Sequence, residues 1–296
     1  MKEPQENPKI LFAIVTCQKN LNKQQVLRET WLQDIPEGVD WVFVQDREKN
    51  EMNLQEHELA LATQKGYEHL ARKSYDLFSY LAKESNYDYV VKIDDDAYVE
   101  PQNVVDFIKG KSPDYAGRRN IQYHESGVIP YAQGGFYVLS RESVQKIANY
   151  TFEDGEGSPW WYGGQKNNKA WKGATDEMKA AASTEDLMVG QILLESGTKF
   201  KVAFGSFDFY KRFNNTSLGN WCIRKFLRIC SEQILSFHPV GGENMKRYYA
   251  LSQEARNQKG GIVRYLVSRA LALGLFGLEV FIAYLIMPLY IWRKNK

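Results

Sequence analysis

The sequence predicts an α/β protein built around a mostly parallel sheet, and three short apolar runs lead to this prediction. Residues 9–16 are apolar and rich in β-branched side chains, which is typical of a strand buried on both faces. Residues 40–46 and 88–93 have the same character. Stretches with helical spacing separate the three runs, and such alternation indicates parallel strands joined by crossover helices.

The remaining elements follow from local spacing and from prolines and glycines. In chain order the sequence predicts helices at 22–32, 56–84 and 101–109, strands at 115–117 and 135–140, and a helix that begins at Arg141. Residues 151–183 are rich in Gly, Lys and Trp and show no clear period until about Asp176. We therefore expect a long surface loop there.

Composition excludes several classes of protein. Of the 296 residues 44% are hydrophobic and 25% are charged, which excludes long disorder and a multi-span membrane protein. The 38 basic and 36 acidic residues give a net charge of +2 and are mixed along the chain, so no nucleic-acid partner is expected. Three cysteines permit at most one disulfide, between Cys222 and Cys230.

The C-terminal segment has a different composition. Residues 270–292 are almost entirely apolar, with Glu279 as the only charge, and basic residues flank them on both sides. These residues could cross a bilayer at about 1.5 Å per residue, although Glu279 would cost about 2.5–3.5 kcal/mol. A buried core helix is the alternative. We favour membrane attachment, spanning or lying in one leaflet, with the main domain cytoplasmic because more Lys and Arg precede the segment than follow it.

The expected organisation has three parts. Residues 1–8 form a polar tail with neither the apolar run nor the cleavage site of a secretory signal, so export through the N-terminus is not expected. Residues 9–245 form the main domain. Residues 246–296 form a C-terminal tail that is either membrane-associating or a hydrophobic helix.

Three consecutive carboxylates, Asp94, Asp95 and Asp96, follow the third predicted strand. They repel one another unless a positive group joins them, and Mg²⁺ or Mn²⁺ suits such oxygen ligands. If strand geometry continues, Asp94 and Asp96 share one face. Asp46 ends the second strand, so it borders the same crevice, although a helix cap explains it equally well. A solvated acidic turn is the alternative to a metal site.

Four segments in the same order resemble the fringe and β1,3-galactosyltransferase or N-acetylglucosaminyltransferase group, glycosyltransferase family 31. Residues 92–99 (KIDDDAYV) resemble its K-x-D-D-D-x-F/Y-V segment, and 26–31 (VLRETW) resemble I-R-x-T-W. Residues 130–140 (PYAQGGFYVLS) resemble P-Y-x-x-G-x-G-Y-V-L-S, and 185–190 (EDLMVG) resemble E-D-V-x-x-G. The resemblance covers roughly residues 10–240.

The resemblance implies a GT-A nucleotide-sugar-binding fold, a UDP-sugar donor and a manganese-type cation. It implies Asp96 and His238 as metal ligands, with Asp94 contacting the metal or the ribose. It also implies transfer with inversion, and Asp186 is then the base that takes the acceptor proton, although a helix N-cap is an alternative for that residue. The residues expected at the donor are Thr16, Arg28, Asp46, Lys92, Asp94, Asp95, Gly134, Gly135 and Glu185.

Some of these assignments have structural alternatives. Arg28 could face donor phosphates or pair with an acidic neighbour at the surface, and we favour the second role. Gly134 and Gly135 allow close approach of the donor sugar or form an ordinary turn. Trp160, Trp161 and Tyr162, together with Trp171, are candidates for stacking on an acceptor sugar, an expectation that rests on composition alone.

The chain also departs from the family pattern. Residues 23–25 (KQQ) occupy the region of the family's first arginine, and its usual luminal cysteines and N-terminal anchor are absent. These differences favour a cytoplasmic, tail-attached relative. The implied function is metal-dependent transfer of a hexose or N-acetylhexosamine from a UDP-sugar to a hydroxyl of a glycan or lipid-linked acceptor, with a β1,3 linkage. A metal-dependent phosphohydrolase and a non-catalytic glycan- or nucleotide-sugar-binding protein are the alternatives.

Overall fold

A computed structural model describes residues 7–63, 65, 69–124, 127–150, 185–208 and 234–257. The strands are β1 (Ile10–Val15), β2 (Val39–Asp46), β3 (Glu51–Asn53), β4 (Glu58–Leu61), β5 (Tyr89–Asp94), β6 (Tyr98–Val99), β7 (Tyr115–His124), β8 (Gly127–Ser140), β9 (Phe200–Val202), β10 (Ser206–Asp208) and β11 (Ser236–His238). The helices are α1 (Leu21–Arg28), α2 (Leu70–Glu84), α3 (Pro101–Lys111), α4 (Arg141–Ala148), α5 (Glu185–Glu195) and α6 (Gly242–Asn257), with short 3₁₀ turns at Gln18–Asn20 and Trp31–Asp34.

Eight strands form the central sheet, in the order β3-β4-β2-β1-β5-β8-β7-β9. Four of its seven neighbouring pairs are parallel: β4 with β2, β2 with β1, β1 with β5, and β7 with β9. The other three are antiparallel, and β8 lies antiparallel to both β5 and β7. A second sheet has the order β10-β11-β6. This architecture confirms the predicted α/β class with a mostly parallel central sheet.

Strand β1 lies in the middle of the molecule, as its composition predicts. All six of its residues are buried. Ile10, Phe12 and Ile14 belong to one core cluster, whereas Leu11, Ala13 and Val15 belong to a second cluster on the opposite face. Because successive side chains of a strand point to opposite faces, this division shows that both faces of the sheet are covered.

The predicted helix at 56–84 is wrong in its first part. Glu58–Leu61 is strand β4, and helix α2 begins only at Leu70. The four residues pair in parallel with the last four residues of β2, and Leu59 and Leu61 are buried. Sheet pairing therefore overrides the local helical spacing. The strands predicted at 115–117 and 135–140 are also longer than expected, because β7 and β8 form an extended antiparallel pair.

Helix α6 crosses the expected domain boundary at residue 245. Met245, Tyr248 and Leu251 of this helix belong to the same core cluster as one face of β1. Arg256, near the end of the helix, forms ion pairs with Asp34 and with the buried Glu100. Residues 246–257 therefore pack with the main domain.

Several predictions fall outside the described residues. These are the loop at 151–183 with its candidate acceptor residues Trp160, Trp161 and Tyr162, the cysteine pair Cys222 and Cys230, and the apolar segment 270–292. Within the described ranges, no helix has the length and apolar character needed to cross a membrane.

Candidate active site

The three-carboxylate segment lies at the carboxyl end of β5, a strand flanked by β1 and β8. Asp96 Oδ1 lies 3.2 Å from Nε2 of His238, and Asp94 Oδ2 lies 3.8 Å from the same nitrogen. One ligand atom from each of these residues lies within 4.8 Å of the other two. The structure therefore brings together the three side chains that were expected to bind a metal, and they meet at the end of β11.

Asp95 points away from this group. Its carboxylate accepts hydrogen bonds from Thr16 Oγ1 (2.7 Å), Asn20 Nδ2 (2.6 Å) and Lys23 Nζ (2.6 Å). Asp94 and Asp96 thus share one side of the turn, as the strand geometry predicts, and Asp95 occupies the other. Thr16 and Asp95, both expected at the donor, bond to each other and anchor the turn to the end of β1.

Asp96 remains ionised over the physiological pH range. Although burial opposes ionisation, the hydrogen bond and charge of His238 and the charge of Lys23 lower the pKa of Asp96 to about 2. About a quarter of the side chain of each aspartate, and 22% of His238, is exposed. A cation from solvent can therefore reach this cluster, named here the Asp94–Asp96–His238 cluster.

Gly135 makes room for the imidazole of His238. A Cβ atom at position 135 would lie 2.2 Å from Cγ of His238, a separation that the structure cannot accommodate. Gly134 and Gly135 lie within strand β8, so the turn interpretation of these glycines is wrong. The two carboxylates and one imidazole form a donor set that suits Mn²⁺, and Gly135 is the cradle that holds the imidazole against them.

A second acidic pair begins helix α5. Glu185 is buried, its Oε2 lies 3.1 Å from Lys92 Nζ, and the hydroxyl of Tyr137 donates a hydrogen bond to its other oxygen. Asp186 is partly buried and accepts hydrogen bonds from the backbone N–H of Gly134 (3.0 Å) and of Leu187 (2.9 Å). Burial and the neighbouring Glu185 carboxylate raise the pKa of Asp186 to about 7.

A single pair of adjacent residues places Asp186 beside the metal-ligand cluster. Gly134 donates its N–H to Asp186, and the next residue, Gly135, packs against the ring of His238. Consecutive Cα atoms lie about 3.8 Å apart, so the carboxylate with the raised pKa and the candidate metal ligand border the same short stretch of β8. The candidate base and the candidate metal ligands are thus linked through two consecutive residues of one strand.

Lys92 lies between the two acidic groups. Its side chain is 0% exposed, and Nζ donates to Asp94 Oδ1 (2.7 Å), to the carbonyl of Gly134 (2.6 Å) and to Glu185 Oε2 (3.1 Å). Although burial opposes protonation, the carboxylates of Asp94 and Glu185 raise the pKa of Lys92, so it carries a charge. Lys92 and Glu185 were both expected at the donor. In the structure they form hydrogen bonds with other groups of the protein.

Asp46 and Arg28 have clear structural contacts. Asp46 forms an ion pair with Lys73 (3.0 Å) and accepts a hydrogen bond from Thr63 (2.9 Å). It ends β2 and the next element is strand β3, so the helix-cap alternative is wrong. It also lines a cavity of about 520 Å³ together with Gln18, Arg47 and Lys65, among others. The guanidinium of Arg28 lies over the rings of Trp41 and Phe43, at 5.1 and 4.9 Å, which favours a structural role for this residue.

Sequence reasoning missed three residues that organise the site: Lys23, Lys73 and Tyr137. Each pairs with an acidic residue distant in sequence: Asp95, Asp46 and Glu185, respectively. For Lys73 the signal was available, because the lysine falls on the apolar side of α2 beside Ser74 and Leu77 and is buried there. For Tyr137 no local signal exists, since a tyrosine in a strand is ordinary.

Several solved glycosyltransferases are similar to this chain in structure. A glycosyltransferase involved in glycosylation of the major capsid of PBCV-1 is 12% identical over 81% of this chain and 100% of its own, with a TM-score of 0.41. The galactosyltransferase LgtC, solved with donor and acceptor sugar analogues, is 10% identical over 82% and 95%, with a TM-score of 0.46. GlyE of Streptococcus pneumoniae TIGR4 is 10% identical over 84% and 63%, with a TM-score of 0.42. At these values the likenesses assign no activity.

The sequence itself matches a family more specifically over part of its length. Residues 22–123 match the family model described as Galactosyltransferase. The matched stretch runs from α1 through β7 and contains the acidic turn, Lys92 and the anchor residue Lys23. Over these residues, the chain is similar to the galactosyltransferase family.

Proposed function

We propose that this chain is an inverting, metal-dependent glycosyltransferase that uses a UDP-sugar. It transfers a hexose or N-acetylhexosamine to a hydroxyl of a glycan or lipid-linked acceptor, and the β1,3 linkage follows from the family resemblance alone. One observation carries the proposal: the Asp94–Asp96–His238 cluster and the raised-pKa carboxylate of Asp186 border the same two glycines of β8. The galactosyltransferase family match over residues 22–123 supports it.

Asp94, Asp96 and His238 would hold the cation, Mn²⁺ or Mg²⁺. Bound there, the cation would neutralise charge that develops on the diphosphate as it leaves. The chain prepares this site in two ways. Gly135 leaves space for the imidazole, and the low pKa of Asp96 keeps that carboxylate ionised without a bound cation.

Asp186 supplies the base for a single displacement. The acceptor oxygen forms a bond to the anomeric carbon while the bond from that carbon to the diphosphate oxygen breaks, and the electron pair leaves with UDP. The acceptor proton moves to Asp186, whose pKa of about 7 suits a group that must be ionised before the step and protonated after it. The Gly134 N–H holds the carboxylate at one oxygen, Oδ2.

The nucleoside end of the donor has a candidate place beside Asp46. This residue ends β2 and lines the cavity of about 520 Å³, and ligands in open α/β sheets bind beyond the carboxyl ends of the strands. Trp160, Trp161 and Tyr162 remain candidates for the acceptor. Attachment to a membrane through the tail, with the domain cytoplasmic, is a further part of the proposal and rests on the sequence of residues 264–296.

The phosphohydrolase alternative needs a second metal site. Within the described part of the chain, Asp94, Asp96 and His238 form the single group of three metal-ligating side chains, which favours one cation.

Release of UDP tests the proposal directly. The protein is incubated with each of a panel of UDP-sugars and MnCl₂, with and without glycan acceptors, and UDP is measured. We expect acceptor-dependent UDP release with one donor and its loss on chelation with EDTA. Donor binding without turnover across the panel would favour the binding protein. Phosphate release from simple phosphate esters without sugar transfer would favour the phosphohydrolase.

A further inference from the structure

The buried Lys92 connects the two halves of the proposed site. Its three hydrogen bonds end on Asp94, on the carbonyl of Gly134 and on Glu185. An ammonium group has three N–H donors, so all of them are used. The full burial of Lys92 leaves no part of the side chain exposed to a bound ligand. The arrangement is therefore complete within the protein.

Each of the three acceptors is coupled to a group that would do chemistry. Asp94 is a candidate metal ligand. The peptide N–H of Gly134 donates to Asp186 Oδ2, while the carbonyl of the same residue accepts from Lys92. Glu185 immediately precedes Asp186 in α5, and its carboxylate is held by Lys92 and by the hydroxyl of Tyr137. One ammonium group thus contacts the support of the base and a ligand of the metal at once.

We infer that Lys92 is a positioning residue that fixes the Asp186 carboxylate relative to the Asp94–Asp96–His238 cluster. This inference rests on the proposed function, and it replaces the donor contact that the family resemblance implied for Lys92. Catalysis by proton transfer is sensitive to such placement, because a displacement of about 1 Å can cost about 10²-fold in rate. Lys92 acts through Gly134 and Glu185 and touches no reacting atom.

The second buried lysine provides a matched control. Lys73 is 5% exposed and donates to the carbonyl of Thr16 (2.6 Å) while it pairs with Asp46 (3.0 Å). It has the same chemistry and burial as Lys92, and it too holds the ends of strands together. Neither of these contacts reaches Gly134, Glu185 or Asp186. Lys73→Met is therefore the control for hydrogen exchange at Gly134 alone; its kcat is not compared, because Lys73 holds Asp46 at the proposed donor site.

The test of Lys92→Met and its control in the full chain uses two measurements. The first is hydrogen–deuterium exchange of the peptide that contains Gly134, which needs no activity. We expect exchange there to rise at least tenfold in Lys92→Met and to stay at the wild-type rate in Lys73→Met. The second is kcat at saturating donor and MnCl₂, which we expect to fall at least 30-fold in Lys92→Met with no recovery at higher donor concentration.

A third variant separates position from charge. Lys92→Arg keeps the charge, but a planar guanidinium cannot direct three bonds from one atom, so kcat should stay at least tenfold below wild type. This variant also serves if Lys92→Met does not fold. Recovery of kcat at high donor concentration would show a donor contact and overturn the inference. Unchanged exchange at Gly134 in Lys92→Met, or an equal rise of that exchange in Lys73→Met, would overturn it as well. If the wild type transfers no sugar, the proposed function fails, and the exchange measurement alone decides the role of Lys92.

Discussion

The acidic turn at residues 94–96 and the acidic start of helix α5 at residues 185–186 both hold adjacent carboxylates close together. They neutralise the resulting repulsion in different ways. In the turn, alternate side chains point to opposite sides, and Asp95 accepts hydrogen bonds from Thr16, Asn20 and Lys23. Lys23 also lies 3.5 Å from Asp96. At the helix start, the side chains of Glu185 and Asp186 lie within one region. Glu185 pairs with Lys92 and accepts a hydrogen bond from the hydroxyl of Tyr137.

In each region one carboxylate is held by several donors from distant parts of the chain: Asp95 in the turn and Glu185 at the helix start. Burying an unpaired charge costs several kcal/mol, so these contacts allow the two carboxylates to be buried. The outcomes differ in the two regions. The pKa of Asp96 falls to about 2 beside His238, whereas burial and Glu185 raise the pKa of Asp186 to about 7. In the proposed mechanism the turn holds a cation and the helix start takes a proton.

The largest expected effect is a loss of kcat when Asp186, at the start of α5, is changed. Asp186→Asn keeps an oxygen that can accept from the Gly134 N–H but cannot take a proton, so kcat should fall about 10²- to 10⁴-fold. Affinity for UDP in the presence of MnCl₂ should change by less than about threefold, since the metal ligands are untouched. Steady-state kinetics and calorimetry measure the two quantities. Transfer above a tenth of the wild-type rate would show that Asp186 is not the base.

In the turn, a substitution should weaken metal binding, whereas Asp186→Asn is expected to lower kcat and leave binding nearly unchanged. Asp96→Asn removes an ionised ligand atom, so affinity for Mn²⁺ alone should fall by more than the 10- to 100-fold that is typical of changes outside the ligand shell. Free Mn²⁺ is followed by electron paramagnetic resonance during titration of the protein.

Asp95→Asn is the matched control, because it removes the same charge one residue away. Its carboxylate contacts Thr16, Asn20 and Lys23, so we expect Mn²⁺ affinity within about threefold of wild type and a free energy of unfolding lower by about 1–3 kcal/mol. Equal losses of Mn²⁺ affinity in the two variants would mean that the cation responds to total charge alone and that the two sides of the turn are equivalent.

A smaller effect on metal affinity is expected from Gly135→Ala. The added Cβ would lie 2.2 Å from the His238 ring and displace the imidazole from Asp96. We expect Mn²⁺ affinity to fall about tenfold, because two of the three ligands stay in place. Gly110→Ala, in α3 with open space around its Cβ, should leave Mn²⁺ affinity unchanged and stabilise the fold by about 0.5–1 kcal/mol. Wild-type affinity in Gly135→Ala would exclude His238 as a ligand.

How far the sequence predicts this molecule depends on whether the signal is local. Strands β1, β2 and β5 are apolar along their length and were predicted within one or two residues. Alternation along a strand also predicted that Asp94 and Asp96 share a side that Asp95 does not. Strand β4 was missed because its four residues read equally well as one turn of a helix, and only pairing with β2 decides between them.

The buried partners of the acidic groups could not be predicted in this way. Lys92 was expected at the donor because the family resemblance implied it. Its actual partners, the carbonyl of Gly134 and Glu185, come from β8 and α5, and no spacing in the sequence places them around one nitrogen. The position of His238 came from the family resemblance, and its seat against Gly135 is visible only in three dimensions.

The smallest expected effect is a displacement of the pH profile, and it tests whether Glu185 sets the proton affinity of its neighbour. In the wild type, kcat/KM should rise with pH through about 7, because Asp186 must lose its proton to act as a base. Glu185→Gln keeps the shape of the side chain but removes the negative charge that helps to raise the pKa of Asp186. The rising limb should therefore move to lower pH, while kcat on the plateau falls by less than about tenfold because Asp186 keeps its bond from Gly134. Rates measured from pH 5 to 9 at saturating MnCl₂ give the profile. A limb that stays in place or moves to higher pH would mean that Glu185 does not control the proton on Asp186, and that the two carboxylates at the start of α5 are not divided between support and chemistry.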